Sequence, residues 1–395
     1  MGGRRAKPPA ALSEAAGAHI MLNDLATIES DATPARSGDV VSAVRDIAAR
    51  ELAPLVHAID AEGHYPDQVM RAFGRAGAFA AHLPRGDVRD IDLVTAIRAM
   101  AAAGEHCLST SFCMWCQDAL GWYIFASDND DLKDKLGQRV ATGAALGGTA
   151  LSNPMKTFFG IEHIRLKATR VAGGYRVRGL LPFVSNLGAD HYFGAVFEVN
   201  EPKRYVMTVI PCAHEDVTLH GNTKFVALDG TRTFGVQIRD AVIPDALVLA
   251  DPVDAYIKRI RAGFVLLQSG MAFGLIRGCI ALMNQTKGPL GHVNKYLDVQ
   301  PEEIAEQLTK LEAQVALLAA TPFDPAPSYW RAVIEARLAA SEAAVAAAHA
   351  AMLHCGARGY VAGGAAQRRL RESYFVAIVT PAIKQLKKML ADMSH

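Results

Sequence analysis

Cys113 and Cys116 form the one Cys-x-x-Cys string of this 395-residue chain, a spacing that serves zinc binding or thiol–disulfide exchange. No second Cys-x-x-Cys and no His-x-x-x-His completes a zinc set, and the pair lies in an apolar stretch of helical character. The remaining cysteines stand apart at 107, 212, 279 and 355, so buried free thiols are expected in place of a metal or redox centre. A second group is Arg368-Arg369-Leu370-Arg371-Glu372, where Glu372 is expected to pair with an arginine. A third is Thr380-Pro381. There the threonine can cap a helix whose first position holds the proline, a place where a missing N–H costs little.

Composition narrows the partners these groups could serve. Lys+Arg number 41 against Asp+Glu 40, a net charge of +1, so no overall field draws in nucleic acid or an anionic membrane. With 51% hydrophobic and 21% charged residues the chain reads as a globular protein of two or three domains. Arg4, Arg5 and Lys7 are followed by Pro8, Pro9, Ser13, Glu14 and His19, which interrupt the apolar run a secretory signal needs. Residues 1–37 are expected to form a flexible arm, with Met21 an alternative start, on a cytoplasmic protein. The most apolar long window, Phe264 to Met283, contains Gln268, Ser269 and Arg277, which favours a buried core helix over a membrane span.

Three regimes follow the arm. Over 38–146 apolar residues recur at helical spacing, as at Val41, Val44, Ile47 and Ala48, with Pro84-Arg85-Gly86 marking a loop. Over 147–251 the period shifts to two: Ile164, Leu166 and Ala168 alternate with Arg165, Lys167 and Thr169, then a Gly173-Gly174 turn leads to Tyr175 and Val177. Further strands are expected at 192–199, 205–210, 217–220 and 233–242, together an antiparallel β domain. Over 252–395 helices return, at 255–286, 301–320, 329–355, 367–379 and 381–393, which suggests a four-helix bundle with an appendage.

A helical domain, a β domain and a helical bundle in that order resemble the acyl-CoA dehydrogenase superfamily, and local strings strengthen the likeness across residues 38–393. Ala49-Arg50-Glu51-Leu52-Ala53-Pro54 looks like that family's first helix. Gly148-Thr149-Ala150-Leu151-Ser152-Asn153-Pro154 sits where the family has a Thr-Glu-Pro-type flavin strand. Phe183-Val184-Ser185-Asn186 resembles its Trp-Ile-Thr-Asn flavin segment, and Gly356-Ala357-Arg358-Gly359-Tyr360 its late glycine-rich turn. The resemblance implies an α+β multidomain fold and FAD, with FMN or diffusible reduced flavin as alternatives. By it, Ser152 hydrogen-bonds the pyrimidine side of the flavin ring, Ser185 reaches its N5 and Phe183 covers a ring face. Lys156 and Thr157 stand where the family holds the diphosphate.

The departures are as informative. Dehydrogenation of a thioester requires a base for the α-proton. The family's glutamate seat is matched here by Val379-Thr380-Pro381-Ala382, and a second seat used by some relatives by Gly263-Phe264-Val265. Neither carries a carboxylate. Glu162 and His163 are the nearest residues able to move a proton, His163 being the candidate catalytic group; the plain alternative is a solvated loop. The family's Arg-x-x-Phe-Gly is reduced to Lys287-Gly288-Pro289-Leu290-Gly291. Three readings stay open: an acyl-thioester dehydrogenase with a relocated base, a monooxygenase using reduced flavin from a separate reductase, and a non-redox binding subunit. The substrate is expected to be a small molecule, as a CoA or carrier-protein thioester in the first reading, with an electron-transfer protein as partner. A homotetramer or homodimer is implied by the resemblance.

Overall fold

The computed structural model describes residues 37–83, 91–221 and 223–394. The expected arm, apart from Ser37, and the loop at Pro84-Arg85-Gly86 lie outside the described residues. Helix α1 (Ser37–Ile47) runs into irregular turns: a π turn over Ala48–Leu52 and a 3-10 turn over Ala53–Leu55, around Pro54, which has no N–H for an α ladder. Then follow α2 (Asp67–Arg75), α3 (Leu93–Gly104) and α4 (Leu108–Ala126). Asp92 caps α3, accepting from the Thr95 N–H at 2.9 Å. Nearly every residue of α4 is buried, so it is the central rod of this region.

Eight strands form one sheet: β1 (Gly147–Thr149), β2 (Lys167–Val171), β3 (Gly174–Val184), β4 (Tyr192–Asn200), β5 (Lys203–Pro211), β6 (Val217–His220), β7 (Phe234–Pro244) and β8 (Val248–Ala250). The order is β6-β7-β3-β2-β4-β5-β8, with β1 alongside β4. The sheet is mainly antiparallel, but β4 pairs in parallel with both β1 and β2, a departure from the purely antiparallel expectation. The cause is that β1 and β2 each reach β4 by a crossover and not by a hairpin. The alternation read from the sequence holds: Ile164, Leu166, Ala168, Tyr175 and Val177 are buried, Arg165 and Arg178 exposed.

Between β1 and β2 lies a short helix, α5 (Ser152–Phe158). The C-terminal helices are α6 (Asp254–Leu267), α7 (Ser269–Asn294), α8 (Pro301–Ala319), α9 (Pro327–Cys355), α10 (Ala365–Ile378) and α11 (Ile383–Asp392). The single helix expected over 255–286 is two: Gln268 joins them, its N–H bonding three residues back to Val265. Past Thr286 the second continues through Pro289 to Asn294 on an exposed face. Thr380 does not cap α11: that helix begins at Ile383 with Ala382 before it, and the Thr380 hydroxyl is engaged elsewhere.

Most of Phe264–Met283 is buried inside the fold, as the polar residues within it predicted. A Cβ at Gly274 would meet Ala101 O at 2.5 Å and Gly104 Cα at 2.6 Å, so glycine is what lets α7 lie against α3. All six cysteines are free; five are buried and Cys355 is half-buried.

Candidate active site

A cavity of about 760 Å³ opens between the sheet and the C-terminal helices. Its sheet wall is built by residues at the ends of strands. Gly147 and Gly148 bring β1 close: a Cβ at Gly148 would lie 2.0 Å from Ser185 O, and one at Gly147 2.1 Å from Tyr192 O. That closeness sets Thr149, Ser152, Phe183 and Ser185 around one opening. Asn186, fully buried with φ 63, fixes the turn after Ser185. Its Nδ2 donates to Gly147 O, its Oδ1 accepts from Tyr65 OH and its N–H donates to Thr231 O. Ser185 Oγ lies 2.6 Å from Thr233 Oγ1, and Thr149 Oγ1 lies 2.8 Å from Tyr123 OH. Phe183 is half exposed, edge-on to Phe225 with centroids 5.6 Å apart.

The helical wall is aromatic. Phe112 stacks on Trp115 at 5.7 Å, Phe375 meets Phe112 edge-on at 4.5 Å, and Phe264 meets Trp115 edge-on at 5.0 Å. The Trp115 indole N–H donates to Phe264 O, which locks the ring and satisfies its one polar atom. Below this wall sits a buried guanidinium. Arg337, 1% exposed, donates through Nε to Gln268 Oε1 at 2.7 Å and through Nη2 to Val376 O at 3.0 Å, and it also bonds Ser341. Burial lowers its pKa to about 10. Gln268 Nε2 in turn donates to Thr380 O at 2.8 Å, so the 379–382 segment hangs from this network.

Charged groups are few. Among the described residues that line the cavity, only Glu162 is a carboxylate. It accepts from Lys156 Nζ at 3.0 Å and from Asn153 Nδ2 at 3.2 Å. Partial burial works against its charged form, but those two bonds outweigh it and hold the carboxyl below its ordinary range. A carboxylate so stabilised is a weak proton acceptor.

Of the residues singled out from the sequence, Ser152, Lys156, Glu162, Phe183, Ser185, Phe264 and Thr380 line the cavity, and Ser152 Oγ is 2.9 Å from Thr380 Oγ1. His163 and Thr157 are not among the lining residues. His163 is exposed, its carbonyl accepting from Asn153; Thr157 donates back to Asn153 O within α5. Phe264, at the second glutamate seat, faces the cavity. Glu372 is buried between Arg368 and Arg369 at 2.9 and 3.0 Å, the arginine pairing expected of it. Sequence reasoning missed Thr231, Thr233 and the aromatic wall. The four rings sit at core-like positions of helices, and nothing in their spacing separates a lining ring from a buried one.

Comparison with known proteins agrees with this architecture. The acyl-CoA dehydrogenase N-terminal domain family matches residues 37–144. Benzylmalonyl-CoA dehydrogenase of Aromatoleum aromaticum is 21% identical over 368 residues, 89% of this chain and 97% of the relative. Among solved structures, butyryl-CoA dehydrogenase from Megasphaera elsdenii superposes with a TM-score of 0.79 at 16% identity, over 92% of this chain and 99% of that one. Dibenzothiophene monooxygenase from Paenibacillus sp. A11-2 does so with 0.76 at 15%, over 89% and 96%. The fold is therefore the one shared by these dehydrogenases and monooxygenases. Residues 37–144 thus match the acyl-CoA dehydrogenase N-terminal domain family, and over most of its length the chain is similar to acyl-CoA dehydrogenases.

Proposed function

We propose that the cavity seats a flavin ring, FAD in the first instance, and that the protein is a monooxygenase acting on a small, compact organic substrate with reduced flavin supplied by a separate reductase. One observation carries this reading: among the described residues the only carboxylate lining the cavity, Glu162, is tied to Lys156 and held below its ordinary range, while both expected glutamate seats present Thr380 and Phe264. Among the described residues an α-proton has no free carboxylate to receive it.

The ring fits the residues present. Ser152, Ser185 and the close-packed β1 offer polar groups on one side, and the four-ring wall offers an apolar aromatic surface on the other. The reduced flavin would supply the electrons that activate molecular oxygen. The chain's own residues would hold the ring by hydroxyls, press the substrate against Trp115 and Phe264, and keep bulk water from that wall. Lys156, already paired, and Thr157, already bonded to Asn153 O, are weaker candidates for a diphosphate. The units 38–146, 147–251 and 252–395 act as domains of a cytoplasmic homotetramer or homodimer in this proposal.

A second reading, acyl-thioester dehydrogenation with Glu162 as base and an electron-transfer protein as acceptor, is favoured by Glu162 reaching the cavity at all. Oxygen separates the two. The purified protein is supplied either with a flavin reductase, NADH and air, or with FAD and acyl-CoAs under anaerobic conditions. Oxygen-dependent product formation without anaerobic bleaching is expected. Bleaching of bound FAD by an acyl-CoA, abolished in Glu162→Gln, would establish the dehydrogenase instead.

A further inference from the structure

Three hydroxyls run in line from the cavity into the loop before β7. Ser185 Oγ is 2.6 Å from Thr233 Oγ1, Thr233 Oγ1 is 2.8 Å from Thr231 Oγ1, and Thr231 Oγ1 donates to Leu228 O at 2.7 Å. Each hydroxyl has one proton to give, and a carbonyl can only accept. Thr231 has therefore spent its proton on Leu228 and can only accept from Thr233. Thr233 has then spent its own and can only accept from Ser185. The direction of the whole relay is fixed by its far end, and Ser185 turns lone pairs, not a proton, towards the cavity.

The end of the relay is held firmly. Thr231 is 1% exposed and closes a 3-10 turn, Asp229–Thr231, bracketed by two left-handed residues that are not glycine, Leu228 at φ 70 and Arg232 at φ 45. Such conformations persist only where surrounding structure enforces them. Here the Asn186 N–H donates to Thr231 O at 2.9 Å, which ties the turn to the residue following Ser185. Reversing the relay would break the Thr231–Leu228 bond. The Leu228 carbonyl would keep its other bond, from the Thr231 N–H at 3.2 Å, so one hydrogen bond sets the size of the effect.

We infer that the Thr231–Thr233 relay makes Ser185 an acceptor-only group and so selects reduced over oxidised flavin at this site. The inference rests on the flavin reading above, with the ring nitrogen N5 facing Ser185. N5 carries a hydrogen in the reduced ring and only a lone pair in the oxidised one. The reduced ring meets a ready acceptor, whereas the oxidised ring meets lone pair against lone pair. Thr231 and Thr233 are positioning residues acting through Ser185.

The test measures dissociation constants of the full-length protein for oxidised FAD and for dithionite-reduced FAD under anaerobic conditions. Reduced FAD is expected to bind about tenfold tighter, the ratio one net hydrogen bond of about 1.4 kcal/mol gives. That ratio raises the two-electron midpoint potential of bound FAD by about 30 mV. In Thr231→Val, Thr233 is free to donate to Ser185, and the ratio falls to about one. Thr231→Ser keeps the hydroxyl and the ratio, and Ser185→Ala loses the preference by another route. Equal or tighter binding of oxidised FAD by the unmodified protein overturns the inference alone, as does a ratio that survives both Thr231→Val and Ser185→Ala. Failure to bind FAD in either state overturns the flavin reading and this inference with it.

Discussion

Behind the helical wall of the cavity the polar groups are charged, deeply buried and fixed by carbonyls. Along the strand ends of the sheet wall, outside the Lys156–Glu162 pair, they are neutral hydroxyls bonded to one another. Arg368, Arg369 and Glu372 clamp α10 to the turn between α3 and α4, with the two arginines also donating to His106 O at 3.0 Å and Gly104 O at 2.9 Å. Arg337 holds the α6–α7 junction and, through Gln268, the Thr380 carbonyl. Charges held this way fix where a segment lies. Hydroxyls such as those of Ser185, Thr233 and Thr231 fix little position, but they decide where a proton points. The helical wall therefore sets the shape of the cavity and the sheet wall its hydrogen-bonding sense.

The largest effect expected from this contrast is at Glu372. Glu372→Ala leaves two buried guanidinium groups without their counter-charge, and breaking such a cluster costs about 3–5 kcal/mol. Urea denaturation should show a correspondingly lower midpoint, or no folded protein at all. A loss under 1 kcal/mol would mean that the carbonyl bonds of Arg368 and Arg369 suffice and that the helical wall does not depend on charge pairing.

The next effect concerns α4, which faces the cavity with Trp115 and Cys116 and turns Asp118 inward against His82. His82 Nε2 bonds the Asp118 carbonyl at 2.9 Å, but its Nδ1 is 3.7 Å from Asp118 Oδ1, too far for a hydrogen bond. Burial drives both side chains neutral: it lowers the His82 pKa to about 4 and raises that of Asp118 well above the carboxylate range. As pH falls below 6.5 the unfolded chain takes up a proton on His82 that the folded chain resists, which lowers stability. The raised pKa of Asp118 works the other way, because the folded chain protonates that carboxyl more readily than the unfolded one, so the two contributions oppose each other. Asp118→Asn removes one of them. His82, its folded pKa depressed, then stabilises fully above pH 6.5, and stability falls by up to about 3 kcal/mol as pH drops from 6.5 to 4. Melting temperatures of the variant and the unmodified protein across that window give the answer; a variant that loses no more stability towards pH 4 than the unmodified protein would disprove a buried neutral histidine.

The three-part order and the alternation of β2 and β3 were legible because period and turn residues report them directly. So, through the family strings, were Ser152, Phe183, Ser185 and Thr380 as neighbours, though the chain separates Ser152 from Thr380 by 228 positions. The capping role expected of Thr380 was not realised, because a hydroxyl that can cap a helix can equally bond another hydroxyl across a cavity. The break at Gln268 was hidden within an unbroken apolar run, since what creates it is a tertiary partner, Arg337. Thr231 and Thr233 were invisible for a related reason. Thr233 reads only as the first residue of an expected strand until its distance to Ser185, 48 positions away, is known.

The smallest predicted effect lies where the two walls touch, at the 2.9 Å contact between Ser152 Oγ and Thr380 Oγ1. It joins a sheet-side hydroxyl to a helical-side segment already held at its carbonyl by Gln268. If charges position that segment and hydroxyls do not, the contact contributes only the net worth of a neutral hydrogen bond. Ser152→Ala and Thr380→Val should each cost about 1 kcal/mol or less in stability, with a coupling energy of about 0.5–1 kcal/mol in the double-mutant cycle. Arg337→Met, which removes the support of Gln268, should raise that coupling, because the hydroxyl pair would then be the remaining tie on Thr380. A coupling unchanged in the Arg337→Met background would mean that the segment is held by packing alone, and the division of labour between charged and neutral walls would fail at this point of contact.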